Sequence, residues 1–385
     1  MTWIGGILGE MYDNDGTVKR GHFDYWLLLV TAILVMIGVI MVYSSSAVLA
    51  RERMGDGYYF LKKEIIFVVL GFAMMVVASK VPYNLWKKLT YPILIVALLA
   101  LALSFIPGLK NTAGGASRWL KLGPITFQPS EFAKFALVVF LAYSLEKKAS
   151  RIKSFGIGFL SNIAVAGVLV VLVLAQKDLG AAFMLSVITA FMLFVAGVRV
   201  SYLVTLAVSA LPVLYFLVAS VGYRRRRIMA FLNPWSDRYG MGFQIIQSLV
   251  SFNEGGIFGK GLGEGQQKLF YLPEAHTDFI FSVLGEELGL IGVLFVVTLF
   301  AIFFWRAIVI GLKAPDLFSR YFAFGMAVFI GIQALFNFCV VMGLLPTKGL
   351  VLPFISYGGS ALTTFLIAVG VLLNISTYKV SRSEA

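Results

Sequence analysis

The chain has 385 residues, 59% hydrophobic and 13% charged, with a mean hydropathy of +0.90 and a net charge of +13 from 32 Lys+Arg and 19 Asp+Glu. Soluble domains carry about 25% charged residues, so charge here is too sparse to clothe a globule in water. A cytosolic enzyme, a disordered tail and a secreted disulfide scaffold are excluded, which leaves a polytopic helical membrane protein.

The single cysteine, Cys339, lies in an apolar run and rules out an internal disulfide. With only His22 and His276 and no cysteine cluster, a zinc site of the usual kind is excluded. The basic excess has two readings: cytoplasmic loops touching anionic headgroups, or an anionic lipid-linked substrate. Composition does not choose between them.

In chain order, residues 1–22 carry Glu10, Asp13, Asp15, Lys19 and Arg20 and read as a cytoplasmic segment, not a cleavable signal. A spanning helix needs roughly 20 apolar residues. Stretches at about 25–48, 65–79, 89–106, 132–146, 156–175, 180–198, 201–222, 279–305, 321–342 and 353–375 meet or approach that length. The short second and fourth are expected to extend into flanking aromatic or charged residues. Residues 23–378 therefore read as one all-α membrane domain of ten transmembrane helices, and residues 379–385 as a cytoplasmic tail. With the N-terminus inside, the cytoplasmic segments hold fifteen Lys and Arg against about nine in the short outer loops. Both termini are thus expected in the cytoplasm. No internal repeat supports an inverted-repeat transporter.

Polar material concentrates in two extracytoplasmic loops, about 107–130 and 223–277. Loops beyond about 12–15 residues are usually functional or disordered. The second is rich in aromatic residues, and Phe243, Ile245, Ile246, Leu249, Val250 and Phe252 recur at helical spacing. That pattern fits an amphipathic helix on the membrane surface or on the outer end of the bundle. The glycine run Gly255-Gly256-Ile257-Phe258-Gly259-Lys260-Gly261-Leu262-Gly263 is not a nucleotide loop, because no Ser or Thr follows Gly259-Lys260 and no strand precedes it. It reads as tight backbone hugging other loops.

Next comes Tyr271-Leu272-Pro273-Glu274-Ala275-His276-Thr277-Asp278, running directly into an apolar helix. Asp278 has two compatible readings: a helix cap, or a carboxylate at headgroup depth that takes a proton from a substrate hydroxyl. A cap position would keep it ionised. Glu286 and Glu287 in the same helix are costly within a span, and Lys or Arg on a neighbouring helix is their expected partner.

The first outer loop reads Gly114-Gly115-Ala116-Ser117-Arg118-Trp119-Leu120-Lys121, then Phe127-Gln128-Pro129-Ser130-Glu131-Phe132-Ala133-Lys134. Pro129 suits a first helical turn. Lys134 lies three residues after Glu131, giving either a local ion pair or, with Arg118 and Lys121, positive potential for a phosphate. Arg224–Arg227 fit headgroup anchoring or ligand contact, and Lys348 is a further cation at the same face. Small and hydroxyl residues at 356–360 suit close helix packing.

A carboxylate facing outward among cations, over a bundle able to admit a lipid tail, supplies the parts for glycosyl transfer from a lipid pyrophosphate. Gly115–Lys134, Gln176-Lys177-Asp178-Leu179-Gly180, Arg224–Gly292 and Leu345–Ser360 resemble the SEDS family of bacterial cell-wall polymerases. Asn233-Pro234-Trp235 and the block 267–278 look most like its division branch, with the elongation branch second.

The resemblance implies a peptidoglycan glycosyltransferase that joins lipid II units at the outer face of the plasma membrane and releases undecaprenyl pyrophosphate. The competing activity is a lipid II flippase, and a third reading is a scaffold that recruits a transpeptidase. The family's essential Asp carries over to Asp278, as base for the acceptor 4-hydroxyl. The substrate-binding candidates are Arg118, Lys121, Glu131, Lys134, Gln176, Asp178, Arg224, Glu274, His276, Lys348 and Ser356. Lys177 stands where the family commonly has Pro. No organic cofactor is implied, and Mg2+ or Mn2+ beside Asp278 is left open. The implied partners are a class B penicillin-binding protein and other division membrane proteins.

Overall fold

The computed structural model describes residues 18–107, 110–113, 116–122, 125–269 and 272–380. Residues 1–17, Gly114, Gly115, Phe270, Tyr271 and 381–385, on which parts of the sequence reading fall, lie outside the described residues.

The first helix, α1 (Tyr25–Met54), starts where the Asp24 carboxylate accepts the Leu27 N–H at 3.0 Å. It stops at Gly55, whose φ of 74° is the left-handed geometry that ends helices. α2 (Tyr59–Lys80) begins ahead of its apolar stretch and takes in Lys62, Lys63 and Glu64, as expected for the short second stretch. After a short α3 (Tyr83–Lys88) comes α4 (Thr90–Leu103).

The first outer loop forms a three-stranded antiparallel sheet of β2 (Lys110–Ala113), β3 (Ala116–Leu122) and β4 (Ile125–Phe127), in the order β2-β3-β4. α5 (Pro129–Lys147) then opens with Pro129 in its first turn. A π-helical turn, Phe155–Leu160, leads into α6 (Ser161–Ala175), and Asp178 caps α7 (Leu179–Val195) by accepting the Ala181 N–H at 3.0 Å. α8 (Val200–Ala219) sits at the periphery, with Leu211, Tyr215 and Phe216 exposed. The second outer loop carries α9 (Gly222–Leu232) and α10 (Phe243–Gly255). The amphipathic helix is therefore present. Ile245, Ile246, Ser248 and Ser251 form its buried side, and Ser248 Oγ lies 2.6 Å from Ser282 Oγ of the following helix.

The chain ends in α11 (Ile280–Lys313), α12 (Leu317–Val341) and α13 (Gly359–Ser376). α12 starts with a capping box between Asp316 and Ser319. α12 packs on α11 and α5, and α13 packs on α2, so the core lies under these five helices. Outward-facing Ile66, Val69, Leu99 and Val171 stay exposed, as helices solvated by hydrocarbon require. Among the described residues, five helices are long and apolar enough to cross a membrane: α1, the continuous Phe155–Ala175 helix, α11, α12 and α13. α4 and α7 are shorter apolar helices, and Val200–Pro212 of α8 is another.

A short strand β1 (Val18–Arg20) pairs antiparallel with β5 (Tyr378–Val380), which brings both ends of the described chain to one face. The Arg306 guanidinium also grips the Asp24 carboxylate there.

Three expectations need correction. The last helix starts at Gly359 rather than near 353, because 345–358 is irregular, with Pro346, Pro353 and a positive φ at Phe354. The cations that meet Glu286 and Glu287, Lys260 and Lys268, come from the second outer loop, not from a neighbouring helix. Glu286 accepts the Gln266 N–H at 2.8 Å and the Gln267 N–H at 3.1 Å, with Lys260 Nζ at 3.4 Å. Glu287 accepts Lys268 Nζ at 2.7 Å and Ser44 Oγ at 2.6 Å.

The glycine run hugs α11 rather than other loops. At Gly289 (φ 65°) the helix breaks, and the run supplies replacement hydrogen bonds. Lys260 and Gly261 N–H donate to the Glu286 and Glu287 carbonyls, each at 3.0 Å. Leu290 N–H donates to Gly256 O at 2.9 Å and Ile291 N–H to Ile257 O at 3.2 Å. A Cβ on Gly259 would fall 2.6 Å from the Glu287 carbonyl carbon, so the fit requires glycine.

Replacing Glu286 by Ala removes the acceptor of three loop donors. We expect amide exchange over 260–267 to rise at least tenfold and the fold to lose about 3 kcal/mol, read by hydrogen-exchange mass spectrometry and thermal unfolding. Unchanged protection over 260–267 would show that the loop is held by other contacts.

Candidate active site

Three segments meet at one end of the bundle: the turn 274–279 entering α11, the irregular segment 345–358, and β3 with the turn 176–178 before α7. Asn337 in α12 ties the first two. Its Nδ2 donates to the Asp278 carbonyl at 2.9 Å and to the Leu350 carbonyl at 2.8 Å. Ser356 adds a second tie, donating to the Thr277 carbonyl at 2.6 Å and accepting the Leu352 N–H at 2.8 Å. The Tyr357 N–H donates to the His276 carbonyl at 3.0 Å.

Asp278 does not cap the helix. The N-cap of α11 is Phe279, which has no side-chain cap bond. The half-buried Asp278 carboxylate instead faces Gly349, where a Cβ would meet its Oδ2 at 3.2 Å and Arg118 Nη1 at 3.9 Å. Aspartate and arginine thus approach the same small residue. Nor is the carboxylate held fully ionised. Burial pushes its pKa up to about 7, the Glu274 charge adds to the rise, and Arg227 and Arg118 oppose it. A base with a pKa near the working pH combines an available lone pair with a real affinity for the proton.

Arg118 is aimed by its neighbours. It donates through Nη2 to the Lys177 carbonyl at 3.0 Å, and its Nε lies 3.8 Å from Asp178 Oδ2. Asp178, 3% exposed, therefore serves both as a helix cap and as a counter-ion. Lys121 leaves this group. Strand residues alternate in direction, so Lys121 occupies the face of β3 opposite Arg118 and is exposed. Lys348 is half-buried over the rings of Phe183 and Phe336, with Nζ 4.9 and 5.7 Å from their centroids. Burial lowers its pKa, and the Asp178 charge opposes that shift.

Several candidates turn out to be internal braces. Lys134 is 0% exposed and spends its ammonium on Glu131 at 2.7 Å and on Gln333 Oε1 at 2.6 Å. The local ion pair is the reading that stands, and direct phosphate contact is corrected. Gln333 Nε2 in turn donates to the Val351 carbonyl at 3.2 Å, so this buried group props the segment beside Asp278. Gln176, also buried, donates to Leu101 O at 3.1 Å and to Ser104 Oγ at 2.8 Å. His276 packs on Phe60 and Tyr357 at centroid distances of 4.7 and 5.9 Å, and burial lowers its pKa, so it is neutral near pH 7. Glu274 is exposed, takes a positive φ of 57°, and accepts the Thr277 hydroxyl at 2.9 Å. Within the arginine run, Arg227 is the member whose charge reaches both Asp278 and Lys348, whereas Arg224 was the one singled out from sequence.

The sequence reading missed Asn337, Gln333 and Gly349. The first two are amides four residues apart in an apolar helix, a spacing that puts both on one interior face. Among the described residues no three His, Cys, Asp or Glu side chains cluster to hold a metal. A lone carboxylate flanked by cations does not fit a divalent ion held by the protein alone, since Mg2+ keeps near-octahedral oxygen ligation.

Replacing Lys134 by Met strands the Glu131 carboxylate in the core. The expected loss is about 3–5 kcal/mol, read as a lower unfolding midpoint in detergent. Adding Glu131→Gln should recover most of it, and a K134M protein as stable as the parent would contradict the bracing role.

The chain matches the family profile FTSW_RODA_SPOVE, described as cell cycle protein, over residues 25–381. It is 52% identical over 356 residues to the probable peptidoglycan glycosyltransferase FtsW of Geobacter sulfurreducens, covering 92% of this chain and 95% of that one. It is 42% identical over 362 residues to stage V sporulation protein E of Bacillus subtilis, covering 94% and 99% respectively. A solved structure described as showing structural coordination of polymerization and crosslinking by a peptidoglycan synthase complex aligns with a TM-score of 0.76 and 31% identity, over 92% of this chain and 97% of that one. The rod shape determining protein RodA of Thermus thermophilus aligns with a TM-score of 0.67 and 27% identity, over 94% and 98%.

Proposed function

Since the chain belongs to the FTSW_RODA_SPOVE family of cell cycle proteins, the SEDS polymerases, we propose that it is a peptidoglycan glycosyltransferase serving cell division. It polymerises lipid II at the outer face of the plasma membrane and releases undecaprenyl pyrophosphate. The relatives named as peptidoglycan glycosyltransferases, about half identical over nearly the whole chain, support the activity and the division branch. The observation that carries the mechanism is the Asp278 carboxylate, poised near neutral pKa beside Gly349 together with Arg118.

In this reading the acceptor sugar's 4-hydroxyl gives its proton to an Asp278 oxygen as its own oxygen attacks C1 of the donor sugar. The new C1–O bond forms as the bond from C1 to the pyrophosphate breaks. The electron pair leaves on the undecaprenyl pyrophosphate, whose growing charge meets Arg118 as a planar fork and Lys348 as a point charge. Burial of Lys348 is offset only in part by the Asp178 charge, so an arriving diphosphate would supply the further counter-charge. Lys134, Glu131, Gln176 and Ser356 act as positioning residues.

The chain crosses the membrane ten times with both termini in the cytoplasm. The basic residues near Arg306, Lys313 and Lys147, and the pairing of β1 with β5, support that orientation. A class B penicillin-binding protein is the proposed partner. The similarity to a chain of a peptidoglycan synthase complex supports it.

Asp278→Asn should lower polymerisation of purified lipid II by at least about 100-fold while the partner still co-purifies. Near wild-type polymer from that variant would remove Asp278 as the base. Because the carboxyl is protonated below its raised pKa, kcat/KM should reach a plateau above about pH 7 and fall towards tenfold per unit below it. An acid limb midpoint near pH 4 would contradict the buried environment assigned to this group.

A further inference from the structure

A polar cavity opens at the end of the bundle opposite Asp278. It has a volume of about 590 Å³ and lies where α5 ends and the π-helical turn begins. Lys147, Lys148 and Arg151 line it, and no acidic side chain does. The nearest acid in sequence, Glu146, is held by Lys87 at 2.8 Å. The C-terminal carbonyls of α5 supply only about half an elementary charge against three cations.

The half-buried Lys148 is held by neutral oxygens. Its Nζ donates to Ser144 Oγ at 2.7 Å and to Ser161 Oγ at 2.9 Å. Neither hydroxyl can reverse that bond. Ser144 spends its proton on Asn162 Oδ1 at 2.6 Å, and Ser161 spends its own on the Ile157 carbonyl at 2.5 Å. Asn162 is fixed in turn by donating to the Gly158 carbonyl at 2.7 Å. A lysine ammonium has three donors, so one remains for a ligand. Burial and the Lys147 charge together lower the Lys148 pKa, a cost that a bound anion would offset. The walls are amphipathic. Tyr91 and Tyr143 pack edge-to-face at 5.7 Å, and Phe140 forms an apolar wall.

We propose that this cavity binds the phosphate of an anionic ligand, seated as a phospholipid headgroup in the leaflet opposite the active site. Aromatic rings at headgroup depth, cations at the rim and an apolar wall suit a molecule with a phosphodiester head and a lipid tail. Under the orientation proposed above that leaflet is cytoplasmic. The site needs nothing from the polymerase chemistry, so binding can be measured apart from turnover.

The test is titration of the full-length protein in detergent with phosphatidylglycerol, phosphatidylethanolamine and inorganic phosphate, read by native mass spectrometry and thermal midpoint. Phosphatidylglycerol should bind most tightly, and Lys148→Gln should weaken it about fivefold. The pair Lys147→Gln/Arg151→Gln, both exposed side chains and so safe for folding, should weaken it further. A response to inorganic phosphate equal to that for the lipid, and lost in the variants, would keep the phosphate site and make a free anion its ligand. Phosphatidylglycerol binding that is unchanged in both variants, or absent from the wild-type protein, would overturn the proposal.

Discussion

One side-chain amide holds the active end of this molecule together. Asn337 stands inside the bundle on α12 and gives both of its N–H bonds to carbonyls from different segments, those of Asp278 and Leu350. Neither segment is regular at that point, so neither has a helical or sheet partner for those carbonyls. In a low-dielectric interior an unpaired carbonyl is expensive, and satisfying two at once fixes their separation. The positions of Asp278, Gly349 and Lys348 all follow from that bond pair, with Gln333 and Lys134 bracing it from behind.

The electrostatics of the site depend on incomplete compensation. Arg118 is partly neutralised by Asp178, and Lys348 rests on aromatic faces, with Asp178 offsetting only part of the cost of its burial. Asp278 sits close enough to Arg227 and Arg118 to feel their charge but not to form a closed ion pair, and burial outweighs their attraction. A tight Asp278–Arg118 salt bridge would have given a carboxylate too weak to take a proton and a guanidinium already occupied. Charges held apart by protein geometry would, under the proposed function, meet a substrate that brings both a hydroxyl and a diphosphate.

Much of this was legible in the sequence, for reasons that differ by element. Hydropathy located the helices because hydrocarbon forces every spanning backbone to satisfy itself. It misplaced the start of α13 because Leu350, Val351, Leu352, Phe354 and Ile355 are as apolar as a helix yet lie in an irregular segment buried by protein. Prolines 346 and 353 were the available warning. Asp278 was identifiable from its place before a helix, but its environment was not, since burial depends on which segments close over it. Charge alone could not separate Arg118 from Lys134. One lies on a strand facing the site, and the other turns into the core towards Gln333. The small outer sheet went unread because its strands are three to seven residues long and carry no hydrophobic alternation.

The break at Gly289 changes how α11 can behave. A long helix interrupted in the membrane would normally leave peptide groups bare to lipid, but here the glycine run is laid into the gap and completes the hydrogen-bonding on both sides. The helix is thus two rods joined by a sealed coupling whose filler belongs to the long loop that precedes it. The outer rod, which leads into Asp278, is anchored to that loop as firmly as to the rod below it. A pull on the loop would therefore reach the Asp278 carboxylate through main-chain bonds, without opening the bilayer to water.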